Sequence, residues 1–480
     1  MAAVPIHRQL YDVLRTAILS GKLAPGSRVA SSRQLARQLH VARTTVMTAF
    51  DQLIADGYLE ARHGAWTSVA HNLPADLTFE RGRLRSYSAD ATPRITARAA
   101  DLVARSATFT AFQDDVPYNF CRPFMPAVDV FPAKQWRRLV IEHWSRSTPD
   151  DLARVNPVGV PALRHELTGH LRTTRGIDCD PGQIIITTGS EQAVDVLARI
   201  MLEPGDRVAI EEPSNVTVRQ LFRSHGAGLV PVRIDRDGLV VDDLVHAPGR
   251  PPVLVHVMPA HQYPTGVMLT LRRRLDLLQW ARQYRALIVE DDHASEYSYE
   301  GATLESLQAL DSAGVVAYVG TFTKMLNPSI QIGYLIVPPS LIAAARAAHR
   351  LATRQAETVQ QHVLARFMHE GGLTRHLRRL QRVHRSRRDT LMQALHETFG
   401  DDVVIGPATS GLQLHVRWPG RSVTTEVMDE WQRVGVAVGA VRPLYQRAVA
   451  ADCGVVMSFA SLHEAQIVAG VAILGKALGA

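Results

Sequence analysis

Lysine, cysteine and long apolar runs are what this 480-residue chain has least of. Three cysteines, Cys121, Cys179 and Cys453, are too few and too scattered for a disulfide framework or a Cys-rich zinc site, so the cytoplasm is the expected compartment. No stretch of about 18 apolar residues occurs, so neither a transmembrane helix nor a membrane partner is expected. The polar N-terminal segment lacks the apolar core of a signal peptide. Of the 53 basic residues only four are lysine: Lys22, Lys134, Lys324 and Lys476. Where charge alone matters, this chain uses arginine. A lysine behind an apolar strand therefore stands out, because only lysine offers an amine for a Schiff base.

What remains is ordinary for a globular protein: 46% hydrophobic and 21% charged residues. The length is enough for roughly three domains. A net charge of +7 permits a nucleic-acid partner without proving one.

The first 71 residues read as three helices and a hairpin. Ile6, Leu10, Val13, Leu14, Ala17 and Ile18 follow helical spacing, and Gly21 ends that helix. Ser31 and Ser32 can cap a second helix with Leu35 and Leu39 on its inner face. A tight connection at His40-Val41 leads to a third helix with Val46, Ala49, Phe50, Leu53 and Ile54 inward. Two short strands, Tyr58–Ala61 and Trp66–Val69, flank a polar tip. That order is a winged helix-turn-helix. Arg43, Thr44 and Thr45 begin the third helix off its apolar face, where a recognition helix reads base edges, and Arg33 is placed for a phosphate. A small helical domain with a solvated basic face is the plainer alternative.

The run PGSRVASSRQLARQLHVARTTVMTAFDQLIADGYLEARHG resembles the GntR family of bacterial regulators. The resemblance implies double-stranded DNA as partner, with contacts from Arg33, Arg43, Thr44, Thr45 and the wing pair His63-Gly64. Val29-Ala30 stands where that family usually has Leu-Pro.

Residues 72–115 show no clear period and read as a linker, with a transient helix around Ile95–Ala107. From 116 to 480, apolar strands alternate with helices. The strands expected are Ile184–Thr188, Val208–Glu211, Val253–Met258, Leu287–Glu290, Val315–Gly320 and Gly333–Val337. Helices such as Ala193–Leu202 and Arg272–Tyr284 lie between them. The fold class is α/β, a mostly parallel sheet covered on both faces, whose ligands sit at the carboxyl ends of the strands.

At those ends stand Gly189-Ser190-Glu191-Gln192 opening a helix, then Asp291-Asp292-His293, then Thr321-Phe322-Thr323-Lys324. A helix start suits a phosphate. With a carboxylate for a pyridine nitrogen and a lysine for an imine, the set matches the needs of pyridoxal phosphate. Asp291-Asp292-His293 also admits a metal site or a plain salt-bridge network.

The runs PAHQYPTGVMLTLRRRLDLLQWARQYRALIVEDDHASEYSYEG, YVGTFTKMLNPSIQIGYLIVP and RHLRRLQRVHRSRRDTL resemble the fold-type I, aspartate aminotransferase-like fold. With the N-terminal motif, nearly the whole chain resembles the MocR subfamily, in which a GntR winged helix is fused to that domain and a smaller C-terminal α+β domain follows. The resemblance implies that Lys324 forms the imine and Asp291 pairs with the pyridine nitrogen. Gly189, Ser190 and Glu191 match the phosphate turn, with Thr321 and Thr323 near it. Five positions depart from the pattern. His293 stands for a tyrosine at the phenolic oxygen, Asn215 for the stacking aromatic and Gln331 for an arginine. Arg154 stands for a tyrosine, and Val456 for the arginine that grips a substrate carboxylate. The site is thus expected to be degenerate. Arg154 is expected to assist the phosphate, from the neighbouring subunit of a homodimer. The basic run from Arg375 to Arg388 is expected to be a solvated helix face.

The function expected is a DNA-binding transcriptional regulator that senses a small molecule, pyridoxal phosphate or its amine adduct, rather than an enzyme. Two alternatives are a working aminotransferase fused to a DNA-binding domain, and a ligand-free dimerisation scaffold.

Overall fold

The computed structural model describes residues 4–61, 66–71, 95–106, 116–293, 295–299, 305–447 and 454–479. It divides into two compact units, Met1–Arg94 and Ile95–Ala480.

The first unit holds helices Ile6–Leu19, Ser32–Leu39 and Arg43–Ala55, followed by the antiparallel pair Leu59–Ala61 and Thr67–Val69. Ser31 caps the second helix in a capping box with Gln34, worth about 1 kcal/mol. His40 closes that helix in the left-handed region, and the third helix buries Val46, Ala49, Phe50 and Leu53. The buried face of the first helix differs from the expected stripe. Leu10, Tyr11, Leu14, Ile18 and Leu19 face the core, while Ile6 and Val13 are exposed. The Tyr11 hydroxyl donates to Asp56 at 2.5 Å, which turns the tyrosine inward and rotates the helix accordingly. Leu39, expected inside, is exposed; Ala36 takes the buried place.

The second unit is built on an eight-stranded sheet. Its order is Ile184–Thr187, Gly333–Ile336, Val316–Thr321, Leu287–Asp292, Leu254–Val257, Arg207–Glu212, Gly228–Asp235 and Gly238–Leu239. Five neighbouring strands from Val316–Thr321 to Gly228–Asp235 run parallel, and Gly333–Ile336 is antiparallel to both its neighbours. The six expected strands are all present, and Gly228–Asp235 and Gly238–Leu239 add to them. Buried Val, Ile and Leu on both faces pack against helices such as Ser190–Met201 and Leu271–Tyr284. A four-stranded antiparallel sheet, Val404–Ile405, Gln413–Arg417, Val455–Ser458 and Gly439–Ala440, forms the smaller C-terminal layer beside helices Gly372–Phe399 and Glu464–Leu478.

Within the segment expected as a linker, Ala97–Ser106 is a ten-residue helix belonging to the second unit. Arg98 donates to the Ser224 carbonyl at 3.0 Å, which ties this helix to Val216–Ser224. No helix among the described residues is long and apolar enough to cross a membrane.

Candidate functional site

The residues expected to contact DNA collect at two helix starts of the first unit. Arg33, Arg43 and Thr44 are exposed, and Thr45 is half-buried. Arg43 Nε donates to Ser32 Oγ at 3.4 Å, linking the start of the third helix to that of the second. His63 and Gly64 lie outside the described residues.

In the second unit, the carboxyl ends of three strands converge. Strand alternation separates the three residues after Glu290. Asp292 turns into a buried network, accepting from Tyr318 Oη at 2.5 Å and Arg175 Nε at 3.2 Å; Arg175 also pairs with Glu296 at 2.9 Å. The salt-bridge reading therefore holds for Asp292. Asp291 and His293 face the other way.

Asp291 is buried, and His256 Nε2 lies 3.4 Å from its Oδ2. Burial raises this carboxyl, but the contact with His256 and the charges of His256, Lys324 and His293 outweigh that and hold it at about 2. Asp291 Oδ1 has no hydrogen-bond partner among the described residues. Burial pushes the Lys324 amine below its ordinary value, against the opposing pull of Asp291, Glu191 and Asp292. The Lys324 carbonyl accepts from the Tyr297 hydroxyl, which anchors the backbone below the amine. Burial, then the charge of Lys324, brings the His293 ring down to about 3. Neither of its ring nitrogens has a partner among the described residues.

The turn before helix Ser190–Met201 is held by local bonds. Gly189 takes φ +130, and the Thr188 N–H donates to Gln192 Oε1 at 2.8 Å. A Cβ on Gly333 would meet the Gly189 carbonyl carbon at 2.6 Å, so the strand approaches the turn this closely because residue 333 is glycine. The first N–H groups of the helix have no intrahelical partner, as at any helix start. Thr321 Oγ1 accepts from the Thr323 N–H at 3.2 Å. Glu191 sits uneasily beside a phosphate: burial raises its carboxyl, while Lys324 pulls it down.

Three other expected positions fall elsewhere. Asn215 caps helix Val216–Ser224, its Oδ1 accepting from the Thr217 N–H at 2.9 Å. Gln331 is exposed. Arg154 ends the short helix Pro149–Ala153 and lines a different groove, so one chain does not bring it to Lys324.

A cavity of about 570 Å³ opens between the two sheets. Glu191, Asn215, Tyr263 and Val456 line it, together with Phe124; Lys324, Asp291 and His293 do not. Phe124 stands between the two sets. Its ring lies 4.3 Å from Lys324 Nζ, 4.9 Å edge-on from the His293 ring and 4.7 Å from the Tyr263 ring. It holds φ +66, a backbone conformation unusual for a bulky residue. Sequence reasoning missed Phe124, because no local pattern links it to a lysine 200 positions away. His256 was findable as the single polar residue in Leu254-Val255-His256-Val257.

Pyridoxal phosphate fits the ring end of this site. The ionised Asp291, whose Oδ1 has no partner among the described residues, suits a pyridinium N–H, and the Lys324 amine is near enough for the two charges to act on each other. The phosphate end offers a helix start and two threonine hydroxyls.

Fold and site together define a helix-turn-helix regulator whose second unit is aminotransferase-like. Residues 6–69 match the bacterial regulatory proteins of the gntR family, and residues 128–458 match aminotransferase class I and II. The chain is 36% identical over 429 residues to the probable rhizopine catabolism regulatory protein MocR of Rhizobium meliloti, covering 89% of this chain and 84% of that one. It is 29% identical to the pyridoxine biosynthesis transcriptional regulator PdxR of Corynebacterium glutamicum, over 96% of this chain and 93% of that protein. A kynurenine aminotransferase of Pyrococcus horikoshii, 26% identical, superposes with a TM-score of 0.70 over 82% of this chain and 97% of that one. The chain belongs to the MocR type of gntR-family transcriptional regulators.

Proposed function

We propose that this regulator binds promoter DNA as a cytoplasmic homodimer and senses pyridoxal phosphate, or an amine adduct of it, at the Lys324 site, without turning over an amino acid. The observation that carries the reading is the buried, ionised Asp291 with its free Oδ1 beside the Lys324 amine. When bound, the cofactor supplies an aldehyde that condenses with a lysine amine. In this chain Lys324 holds that end and Asp291 the pyridinium. His256 orients Asp291, and His293 gives a neutral ring N–H where a phenol is usual. Gly189, Ser190, Thr321 and Thr323 hold the phosphate, and Glu191 weakens that end. Val456 is buried and apolar where the family's carboxylate-gripping arginine stands, which supports sensing over catalysis.

Trp144 and Leu152 are exposed on the lining of a groove of about 760 Å³, and Ile141, three residues before Trp144 on the same helix, is exposed too, a face suited to a second copy of the chain. Arg154 lines the same groove, which supports its donation to the partner's phosphate end.

Titration of the full-length protein with pyridoxal phosphate tests the reading. Wild type should gain near-visible absorbance and, after borohydride, a covalent adduct on Lys324, and its DNA affinity should change in parallel. Lys324→Ala should show neither the adduct nor the change in DNA affinity. No adduct in wild type at saturating cofactor would remove pyridoxal phosphate as effector, and steady transamination of amino acids would make the protein an enzyme.

A further inference from the structure

Helix Gly372–Phe399 carries seven arginines and two acids, Asp389 and Glu397. The structure splits the arginines into two kinds. Arg387 and Arg388 are buried and structural, against the expectation of a wholly solvated face. Arg387 pairs with Asp129 at 2.8 Å and donates to the Ala460 carbonyl. Arg388 pairs with Asp389 at 2.6 Å and donates to the Ala408 carbonyl. The other five, Arg375, Arg378, Arg379, Arg382 and Arg385, are exposed. At about 100° per residue they fall within an arc of about 120°, and at about 1.5 Å rise they span about 15 Å.

Some exposed helical arginines of this chain have a carboxylate four residues away: Arg138 with Glu142, Arg199 with Asp195, Arg272 with Asp276. Others pair with a second arginine at that spacing, as Arg33 with Arg37 and Arg346 with Arg350, but no other described helix gathers five on one face. On the stripe, the residues four after Arg375 and Arg378 are Arg379 and Arg382. Like charges at that spacing destabilise a helix by about 0.2–0.5 kcal/mol per pair. Arg375 also stands in the first turn, where the helix dipole disfavours a cation. Among the described residues, no carboxylate lies within salt-bridge distance of any of the five. Arg375 and Arg385 donate only to backbone carbonyls, those of Glu370 and Tyr299.

We infer that this stripe is a second, sequence-independent contact surface for duplex DNA. A row of closely spaced guanidiniums with no internal counter-charge is complementary to a row of phosphates, which Arg binds in bidentate fashion. A duplex carries about one charge per 1.7 Å of axis, so about 15 Å of helix faces a dense line of them. Duplex DNA is favoured over other polyanions because the same chain carries a gntR-type DNA-binding unit. The inference does not depend on what the Lys324 site binds.

The test uses the full-length protein and a mixed-sequence duplex, with affinity measured across a range of salt concentrations. The triple variant Arg375→Gln, Arg378→Gln, Arg382→Gln should bind about 10- to 100-fold more weakly, with the slope of log affinity against log salt reduced by about 2–3, since each lost phosphate contact removes about 0.9. Its unfolding midpoint should be unchanged or higher, because repulsion is relieved. The matching triple variant to Lys keeps the charge and should keep most of the slope. Arg236→Gln with Arg272→Gln removes two exposed charges elsewhere and should leave both slope and affinity unchanged. A wild-type slope in the Gln variant overturns the inference. So does an equal loss in the Arg236 and Arg272 pair, which would mean a bulk charge effect, or a loss restricted to anionic phosphatidylserine vesicles with DNA binding intact.

Discussion

Phe124 places its ring 4.3 Å from Lys324 Nζ and stands between that amine and the neighbouring cavity. Its φ of +66 is a conformation that costs an L-residue about 1–2 kcal/mol and glycine almost nothing. Both Phe124→Ala and Phe124→Gly lose the ring contacts, but only glycine relieves the backbone. Phe124→Gly should therefore be the more stable of the two by about 1 kcal/mol in urea unfolding. Both should capture pyridoxal phosphate faster than wild type. A more stable alanine variant would mean that the backbone stores no strain there.

Asp291 is already ionised at any ordinary pH, so its contribution to cofactor binding should not vary between pH 5 and 9. Asp291→Asn removes a charge-assisted hydrogen bond worth about 1.5–3 kcal/mol, so affinity for pyridoxal phosphate should fall about 10- to 100-fold, measured by absorbance titration. Equal affinity in this variant would show that the carboxylate does not meet the ring.

Glu211 carries a pH signature. It is buried and touches Gln262 Nε2 at 3.4 Å, and burial raises its carboxyl to about 8. The folded chain keeps a proton that the unfolded chain releases above 4.5. Its contribution to stability is therefore full below 4.5 and is lost as pH rises toward 8. Glu211→Gln should flatten the decline in stability between pH 5 and 8 by up to about 1.4 kcal/mol per pH unit. His261, His293 and His384 act on the acid side. Burial depresses them to about 4, 3 and 3, so stability should also fall as pH drops below 6.5. Denaturant melts across pH for wild type and Glu211→Gln measure both limbs.

If the face around Ile141 and Trp144 joins two copies, Ile141→Arg with Trp144→Arg should give a monomer in sedimentation at micromolar concentration. The fold should survive, because both side chains are more than half exposed. A dimer unchanged by this pair would put the interface elsewhere.

For the DNA unit, Arg43→Ala should relax discrimination at one base pair by about 1–3 kcal/mol, while Arg33→Ala should weaken binding to all sequences and lower its salt dependence. Binding of both variants equal to wild type in a competition assay would reassign the contacts.

The elements were legible in the sequence because they rest on local rules. An apolar run placed the strand Leu287–Asp292 to within two residues of its end, helical spacing placed the helix Arg43–Ala55, and Ser31 announced a capped helix. Lysine scarcity singled out Lys324, since an amine is a chemical property no arginine shares. Tertiary structure decided what lies far apart in the chain. Asp291 and Asp292 are neighbours, yet the strand's alternation gives one to the pocket and the other to Arg175. Arg385 and Arg387 belong to one basic run, yet packing against Asp129 buries only the second. Phe124 and Tyr263 reached the site only when the chain closed, because contact between distant segments depends on the whole path of the backbone and not on any local pattern.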